Sequence, residues 1–237
     1  VGIYGLPAFY GRERPIHDVV RDGPIGVDIS HRLEAATGTQ VLGRWIDLGF
    51  ANIYGVRRTI AGHGDLKRLR VRIPGGEANL YRLAALGAQG KVVAWRDLPQ
   101  AMGDGSLDAI LSTHETIVSE QLWSQGVTSA FEDHQYFAQY VPLVSRRLRA
   151  HLPPDLWDVV VGTWEEMVGG FRAEAEAAQA QARTRLAAEG VAVARPSPAA
   201  LAERRRTLMA VQPAMVAAMN INRELVTRTM SVLARED

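Results

Sequence analysis

The stretch from Leu66 to Glu115 constrains the fold more than any other part of the chain. Apolar residues alternate with arginines over residues 68–73, which predicts a β-strand with one apolar face and one guanidinium-bearing face. Pro74 ends this strand, and helical and apolar segments then alternate. The order strand, helix, strand, helix, strand predicts a parallel sheet flanked by helices. The segments after Pro74 are a helix at 77–88, an apolar run at 91–95, a helix from about 97 and an apolar run at 107–111.

Three candidate binding residues lie at the predicted carboxyl ends of these strands, where ligands gather in open α/β sheets. They are Arg72, Trp95 and Ser112. Arg72 is the principal candidate, because its planar guanidinium presents paired donors that match a carboxylate. The pattern alone leaves another interpretation open, in which Arg72 pairs with a neighbouring acid such as Glu77 or Asp108.

The other segments predict a chain of mixed helices and strands, with one long helix in its second half. Residues 156–188 favour that helix, since their Ala, Gln, Glu and Arg residues are good helix formers. Gly169 and Gly170 lie inside it, and a kink or a packing demand would explain them. Other helices are expected at 24–36 and within 197–235, extended segments at 41–50, 52–58, 127–131, 135–144 and 191–194, and a loop with a helical turn at 12–22.

Charge and cysteine content exclude several classes of function. The 27 basic and 26 acidic residues give a net charge of +1, so no global field favours nucleic acid or an anionic membrane. The 237 residues include no cysteine, which excludes thiol catalysis, disulfides and cysteine-based zinc sites. No apolar stretch reaches the length of a membrane span, and no signal peptide is recognisable. Because the net charge is close to zero, we expect no nucleic acid partner.

Enzymatic patterns are weak. Ser112, His114 and Glu115 adjoin one another, but a nucleophile, its base and its orienting group usually come from separate elements, and no G-x-S-x-G motif occurs. Residues 74–76 lack the order of a phosphate-binding loop. We expect no cofactor and no metal centre, because the candidate ligands lack metal-binding spacing. Those ligands are His63, Asp65, His114, Glu115, Asp133 and His134.

The stretch from Leu66 to Glu115 is called the organising stretch below. Several motifs in it and directly before it resemble those of a known family. They are DLKRLRVRIP at residues 65–74, ALGA at residues 85–88, Trp95, and LDA at residues 107–109. This set resembles the DctP family, the solute-binding subunits of tripartite ATP-independent periplasmic (TRAP) transporters. The spacing from Arg72 through to His134 is similar to that of the sialic-acid-binding branch.

The resemblance implies an α/β fold like that of other periplasmic binding proteins, with two α/β lobes, crossing strands and a long bracing helix. Lobe I would comprise residues 1–50 and 139–177, and the start of this lobe in the family has no counterpart here. Lobe II would comprise residues 51–138 and 178–237. The implied function is capture of a small organic acid in the periplasm and its delivery, by a monomer, to membrane permease subunits. A carboxylate sensor of the same fold and, further away, a small α/β hydrolase are the alternatives.

The resemblance also suggests roles for individual residues. Arg72 matches the arginine that clamps the ligand carboxylate, and Trp95 matches an aromatic that packs on the carbon skeleton. Ser112 stands where many relatives have an asparagine. Thr113 and Glu115 could contact a hydroxyl or an amine, or could instead belong to a helix cap. His134 matches a histidine near the pocket, with a structural pair to Asp133 as the alternative.

Two departures from the sialic-acid-binding branch weaken that particular assignment. The branch has an arginine soon after its Gly-Phe pair, but here Gly49 and Phe50 are followed by Ala51 and Asn52. The branch has an asparagine after the strand proline, but here the position is Gly75. We therefore expect a smaller organic acid than sialic acid.

Overall fold

The computed structural model describes residues 2–236, in which eight strands and ten α-helices alternate along the chain. The strands are β1 (Thr39–Val41), β2 (Ile46–Val56), β3 (Arg70–Ile73), β4 (Gln89–Val92), β5 (Ala109–Ser112), β6 (Val127–Tyr140), β7 (Leu143–Ser145) and β8 (Ala192–Ala194). The helices are α1 (Arg14–Asp22), α2 (Pro24–Thr37), α3 (Glu77–Ala85), α4 (Leu98–Gly103), α5 (His114–Ser119), α6 (Arg146–His151), α7 (Pro154–Ala188), α8 (Pro198–Leu208), α9 (Gln212–Ala218) and α10 (Arg223–Leu233).

The organising stretch forms one half of a six-stranded sheet with the order β4-β3-β5-β2-β6-β8. Strand β3 pairs in parallel with β4 on one side and with β5 on the other, as the alternation of strands and helices predicted. The carboxyl ends of these strands therefore meet at one edge of the sheet. Strands β1 and β7 form a separate two-stranded antiparallel sheet.

Strands β2 and β6 are the long strands of the structure, and they pair antiparallel from Ile46 with Tyr140 to Val56 with Val127. The sequence predicted two separate extended segments for each of them. Each is instead one strand with irregularities in its register. At the largest of these register irregularities, Asn52 of β2 stands opposite residues 132–135 of β6. These four residues form a β-bulge-like excursion, called the β6 excursion below.

Apolar residues on the two faces of the large sheet form separate clusters. One cluster joins β3 and β5 to α3 and α8, and the other joins β5 and β6 to α4, α5 and the end of α7. A third cluster joins the N-terminal residues to α1, α2, α9 and α10. The C-terminal helices α9 and α10 thus pack against the predicted lobe I, whereas the sequence assigned them to lobe II.

Helix α1 corrects the sequence expectation of a loop with one helical turn. Its apolar face, with Ile16 and Val20, packs in the third cluster, and its charged residues pair inside the protein. Arg21 is 3% exposed and forms ion pairs with Asp18, Asp22 and Asp47. The expectation of a loop followed the polar composition of the segment, but charged side chains that form ion pairs inside the protein do not have to face solvent.

The 35-residue helix α7 braces the molecule along its length. Arg172 donates to the carbonyl of Trp45 at 2.8 Å and to Asp22 at 2.7 Å. Two turns later, Gln179 donates to the carbonyl of Leu48 at 2.7 Å, and Leu186 enters the core beside the sheet. Within residues 2–236, no helix combines the length and apolar character needed to cross a membrane.

Candidate functional site

A cleft of about 820 Å³ opens at the edge of the sheet where β3 and β5 end, and it is crossed by the second half of β6. The loop after β3, the residues after β4 and the end of β5 form one wall. The lining residues include Tyr4, Trp45, Leu48, Arg72, Gly75, Gly76, Glu77, Asn79, Trp95, Ser112, Thr113, Thr116, Tyr136, Phe137, Gln139 and Tyr140.

Arg72 is placed in this cleft by β3 and is only 4% exposed. Its Nε donates to the carbonyl of Val93 at 3.0 Å, and its guanidinium carbon lies 5.2 Å from the centre of the Trp95 ring. Burial lowers the pKa of the guanidinium from its ordinary value, although an arginine stays charged at neutral pH. Among residues 2–236, no carboxylate forms an ion pair with Arg72.

Neither of the two acids that could have neutralised Arg72 forms an ion pair with it. Asp108 pairs with Arg70 at 2.8 Å and with Arg58 at 3.1 Å, and these contacts lower the pKa of its carboxyl group to about 2. Glu77 is exposed in the first turn of α3. The positive charge of Arg72 is therefore available to a ligand.

Trp95 also lines the cleft, with 38% of its surface exposed. The sequence expected it at the end of a strand, but β4 stops at Val92 and Trp95 begins a 3₁₀ turn that runs to Asp97. The turn directs the chain into α4 and keeps the indole beside Arg72. An amphipathic ring in this position can pack on the carbon skeleton of a ligand.

Ser112 ends β5 and Thr113 follows it, and both residues line the same cleft. The Thr113 hydroxyl caps α5, where it accepts from the backbone N–H of Thr116 at 3.4 Å and shares a 2.9 Å hydrogen bond with the Thr116 hydroxyl. Thr113 thus has the capping role that the sequence left open, while it also lies at the cleft wall.

Glu115 and His134 do not line the cleft, in contrast to the sequence expectation. Glu115 lies two residues beyond the α5 cap residue Thr113, and its backbone N–H donates to Gln179 of α7 at 3.1 Å. His134 sits in the β6 excursion with a φ of 46° and stacks on Phe50 with ring centres 3.9 Å apart. The structure therefore brings four of the six candidates together: Arg72, Trp95, Ser112 and Thr113.

Sequence reasoning missed the aromatic wall of the cleft and the turn beside it. Tyr136 and Tyr140 project from β6, where their spacing was interpreted only as an extended segment. Gly75 and Gly76 have φ values of 136° and 86°, a backbone conformation that other residues rarely adopt. Asn79 holds this turn by donating to the carbonyl of Gly75 at 2.7 Å.

A buried polar network supports this wall from beneath. Arg82, which is fully buried, donates to Asn79, to Gln135 at 2.7 Å and to the carbonyl of Gly5 at 2.9 Å. Gln135 in turn donates to Asp133. Burial raises the pKa of the Asp133 carboxyl to about 7, even though its neighbours favour the charged form. The network links the β6 excursion to the glycine turn of the cleft.

The comparisons with known proteins agree with this geometry. A model of the family DctP, described as bacterial extracellular solute-binding protein, family 7, matches residues 2–218. The chain belongs to the DctP family. It is accordingly a periplasmic solute-binding protein of the TRAP type and not an enzyme, and the predicted family, compartment and fold class are confirmed.

Solved structures of DctP proteins share the fold at low sequence identity. A TRAP periplasmic solute-binding protein from Ralstonia eutropha H16, with bound (S)-2-acetolactate, matches with a TM-score of 0.87 and 22% identity over 99% of this chain and 74% of that one. DctPAm from Advenella mimigardefordensis, in complex with galactonate, matches with a TM-score of 0.87 and 21% identity over 100% and 74%. A TRAP periplasmic solute-binding protein from Desulfovibrio salexigens with bound orotic acid matches with a TM-score of 0.82 and 22% identity. The match covers 94% of this chain and 71% of that one. No curated protein matches the chain.

The described residues offer no metal centre. Among residues 2–236, no group of three or more histidine and carboxylate side chains is arranged to hold an ion. His114, one of the residues considered for such a group, is instead bonded to the Tyr54 hydroxyl at 2.9 Å and to Glu132 at 3.2 Å.

Proposed function

We propose that this DctP protein captures an organic acid in the cleft and delivers it to the membrane permease subunits of a TRAP transporter. The observation that carries the proposal is Arg72, a buried cation that lines the cleft and forms no ion pair with a carboxylate of residues 2–236. The binding unit is a single copy of the chain, because the groups proposed to contact the ligand lie on one cleft.

The proposed contacts are few. Arg72 anchors the carboxylate with paired N–H donors, and Trp95 packs against the adjoining carbon skeleton. Ser112 offers a hydroxyl at the end of β5, and Thr113 contributes mainly to the wall because its hydroxyl caps α5. Glu115 and His134 are left out of this set.

The ligands of structural neighbours support the acid class. The proteins from Ralstonia eutropha and Advenella mimigardefordensis bind acetolactate and galactonate, and one from Polaromonas binds D-erythronate. Each of these ligands carries a carboxylate. A carboxylate is also the group that a buried, unpaired guanidinium is suited to bind.

The proposal is tested by titration calorimetry of the 237-residue chain with a panel of carboxylic acids, using Arg72→Gln and Arg70→Gln. Removing one partner of a buried ion pair costs about 3–5 kcal/mol, which corresponds to a loss of roughly two to four orders of magnitude in affinity. We expect that loss for Arg72→Gln. Arg70 is the matched control, since it lies on the same strand but pairs with Asp108 at the surface.

The outcome that contradicts the proposal is equally specific. If an acid binds and Arg72→Gln binds it as tightly as the original protein does, Arg72 is not the anchor. If Arg70→Gln loses as much affinity as Arg72→Gln, the effect comes from the strand and not from a contact in the cleft.

A further inference from the structure

Three features of the cleft bear on the class of acid that it binds: its charge, its aromatic lining and its polar groups. On the basis of the function proposed above, we propose that the ligand is a monocarboxylate with a flat aromatic body, and that Trp95 and the β6 tyrosines select for it.

The charge of the cleft favours a single carboxylate. Of the described residues that line it, Arg72 is the one cation and Glu77 the one acid. A ligand with two carboxylates would place its second charge in a site without a second cation and with Glu77 on the same wall. Like charges in a desolvated site repel, so a dicarboxylate is disfavoured.

The shape and chemistry of the remaining wall favour an aromatic body. Six aromatic side chains line the cleft, of which Trp95 and Tyr140 are 38% and 57% exposed. Arg72 lies against the Trp95 ring, so the body of a ligand held by Arg72 starts beside the indole. Covering exposed rings with a flat apolar body is favourable, because aromatic contacts add to the burial of apolar surface. The other four aromatic residues are Tyr4, Trp45, Tyr136 and Phe137.

Three of the polar side chains in the lining are already hydrogen-bonded to protein groups. The Asn79 amide donates to the carbonyl of Gly75 and accepts from Arg82, and the Thr113 and Thr116 hydroxyls bond to each other. The Tyr4 hydroxyl and the Gln139 amide are buried and have no hydrogen-bond partner among the described residues, so they can pair with a single polar substituent on the ring of a ligand. A sugar acid carries a hydroxyl on most of its carbon atoms, and each hydroxyl that found no protein partner would lose its water hydrogen bonds on burial, which weakens binding.

The experiment is a calorimetric titration of the full chain with matched acids. Benzoate, 4-hydroxybenzoate and phenylacetate represent the proposed class, and galactonate and D-erythronate represent sugar acids. Phthalate adds a second carboxylate to the benzoate ring, and benzamide removes the charge. We expect the best aromatic monocarboxylate to bind at least tenfold more tightly than either sugar acid, phthalate and benzamide.

Variants locate the selectivity. Trp95→Ala should weaken the aromatic acid at least tenfold, and Trp95→Phe should recover most of that loss because it restores a ring. Trp123→Ala is the control, since Trp123 does not line the cleft but packs at the far face of the sheet. Equal affinity in Trp95→Ala and the original protein overturns the role of Trp95.

The results separate this inference from the proposed function. If sugar acids bind more tightly than aromatic acids and lose that binding in Arg72→Gln, the proposed function stands and the aromatic class is wrong. If phthalate binds more tightly than benzoate, the single-charge argument is wrong. If no acid in the panel binds, both the aromatic class and the carboxylate function are contradicted.

Discussion

Two buried arginines, Arg72 and Arg82, show how the same residue type takes opposite roles in one protein. Arg82 is fully buried and gives its donors to Gln135, Asn79 and the carbonyl of Gly5. Arg72 has one hydrogen bond, to the carbonyl of Val93. A buried guanidinium is tolerated when its donors are satisfied, so Arg82 stabilises the fold, whereas Arg72 keeps donors for a partner from outside.

Asp133, a buried acid beside Arg82, makes the stability of the fold depend on pH. Its carboxyl group accepts from the Tyr10 hydroxyl at 3.0 Å and from Gln135, with Arg82 nearby, but one of its oxygens has no partner. Burial raises its pKa to about 7, against about 4 in an unfolded chain. Between these values the folded protein holds a proton that the unfolded chain releases, so stability contributed by Asp133 falls as the pH rises from 4 to 7.

We therefore predict that Asp133→Asn changes the pH dependence of stability. The amide mimics the protonated acid and does not titrate. The free energy of unfolding of the variant minus that of the original protein should increase from pH 4 to pH 7 and then level off. At about 1.4 kcal/mol per pH unit, the increase is at most ~4 kcal/mol. Urea denaturation at each pH measures it, and parallel curves for the two proteins would contradict the prediction.

Arg72, Trp95 and Ser112 were accessible to sequence reasoning because each follows a recognisable strand in the organising stretch. The positions of Glu115 and His134 could not be predicted in this way, since the orientation of α5 and of the β6 excursion decides which way these side chains face. Tyr136 and Tyr140 were missed for a different reason. They come from a strand far along the chain, and only the pairing of β6 with β2 brings them to the ends of β3 and β5.

At the scale of elements, prediction succeeded where one physical signal dominates a segment. The parallel unit β3, β4 and β5 and the helix α7 follow directly from alternation, helix propensity and proline placement. Prediction failed for α1, where charged residues are buried in ion pairs. It also failed for β6, where four consecutive polar residues at 132–135 interrupt the alternating pattern of the strand. Both failures concern charges that only tertiary partners satisfy.

The glycines of the helices lead to a second prediction. The sequence suggested a kink or a packing demand at Gly169 and Gly170, but a Cβ added at either meets no atom within 4 Å. The same holds for Gly162 of α7. No packing demand explains these glycines among the described residues. In contrast, a Cβ added at Gly26 of α2 would lie 1.7 Å from the backbone oxygen of Arg21.

We predict opposite effects for the same substitution in these two helices. Gly162→Ala and Gly169→Ala should each raise the free energy of unfolding by about 0.5–1 kcal/mol, because alanine is the better helix former. Gly26→Ala should lower it by roughly 2 kcal/mol or more, since Arg21 is fixed by its ion pairs and cannot move away. Urea midpoints provide the measurement. A stabilised Gly26→Ala, or destabilised α7 variants, would show that the local packing differs from that described.

At the scale of the whole molecule, the crossing strands and α7 connect the parts that face the cleft. The cluster formed by α1, α2, α9 and α10 lies on one side, and the sheet with α3 and α4 lies on the other. Strands β2 and β6 pass between them, and the excursion opposite Asn52 interrupts their pairing. A few residues at element irregularities can absorb the φ and ψ changes of domain closure. The division of the chain into two lobes remains a prediction.

If the two sides close on the ligand, the distance between α2 and α3 should shorten on binding. The chain has no cysteine, so Ala35→Cys with Ala84→Cys gives two unique spin-label sites on exposed helix positions. We expect the distance distribution to shift by more than about 2 Å when a carboxylate that binds the cleft is added, as hinge closure does in other proteins.

The control pair, Ala84→Cys with Gln100→Cys, places one label on α3 and one on α4. The distance between these labels should not change, because both helices flank the same sheet.

Ligand binding draws the two sides together only if the ligand contacts both of them more favourably in the closed state. Arg72 and Trp95 belong to the sheet side, so the contacts that drive closure must come from lining residues across the cleft, such as Tyr4, Trp45 and Leu48. A ligand that binds with full affinity and leaves the α2–α3 distance unchanged would mean that the cleft is a rigid site.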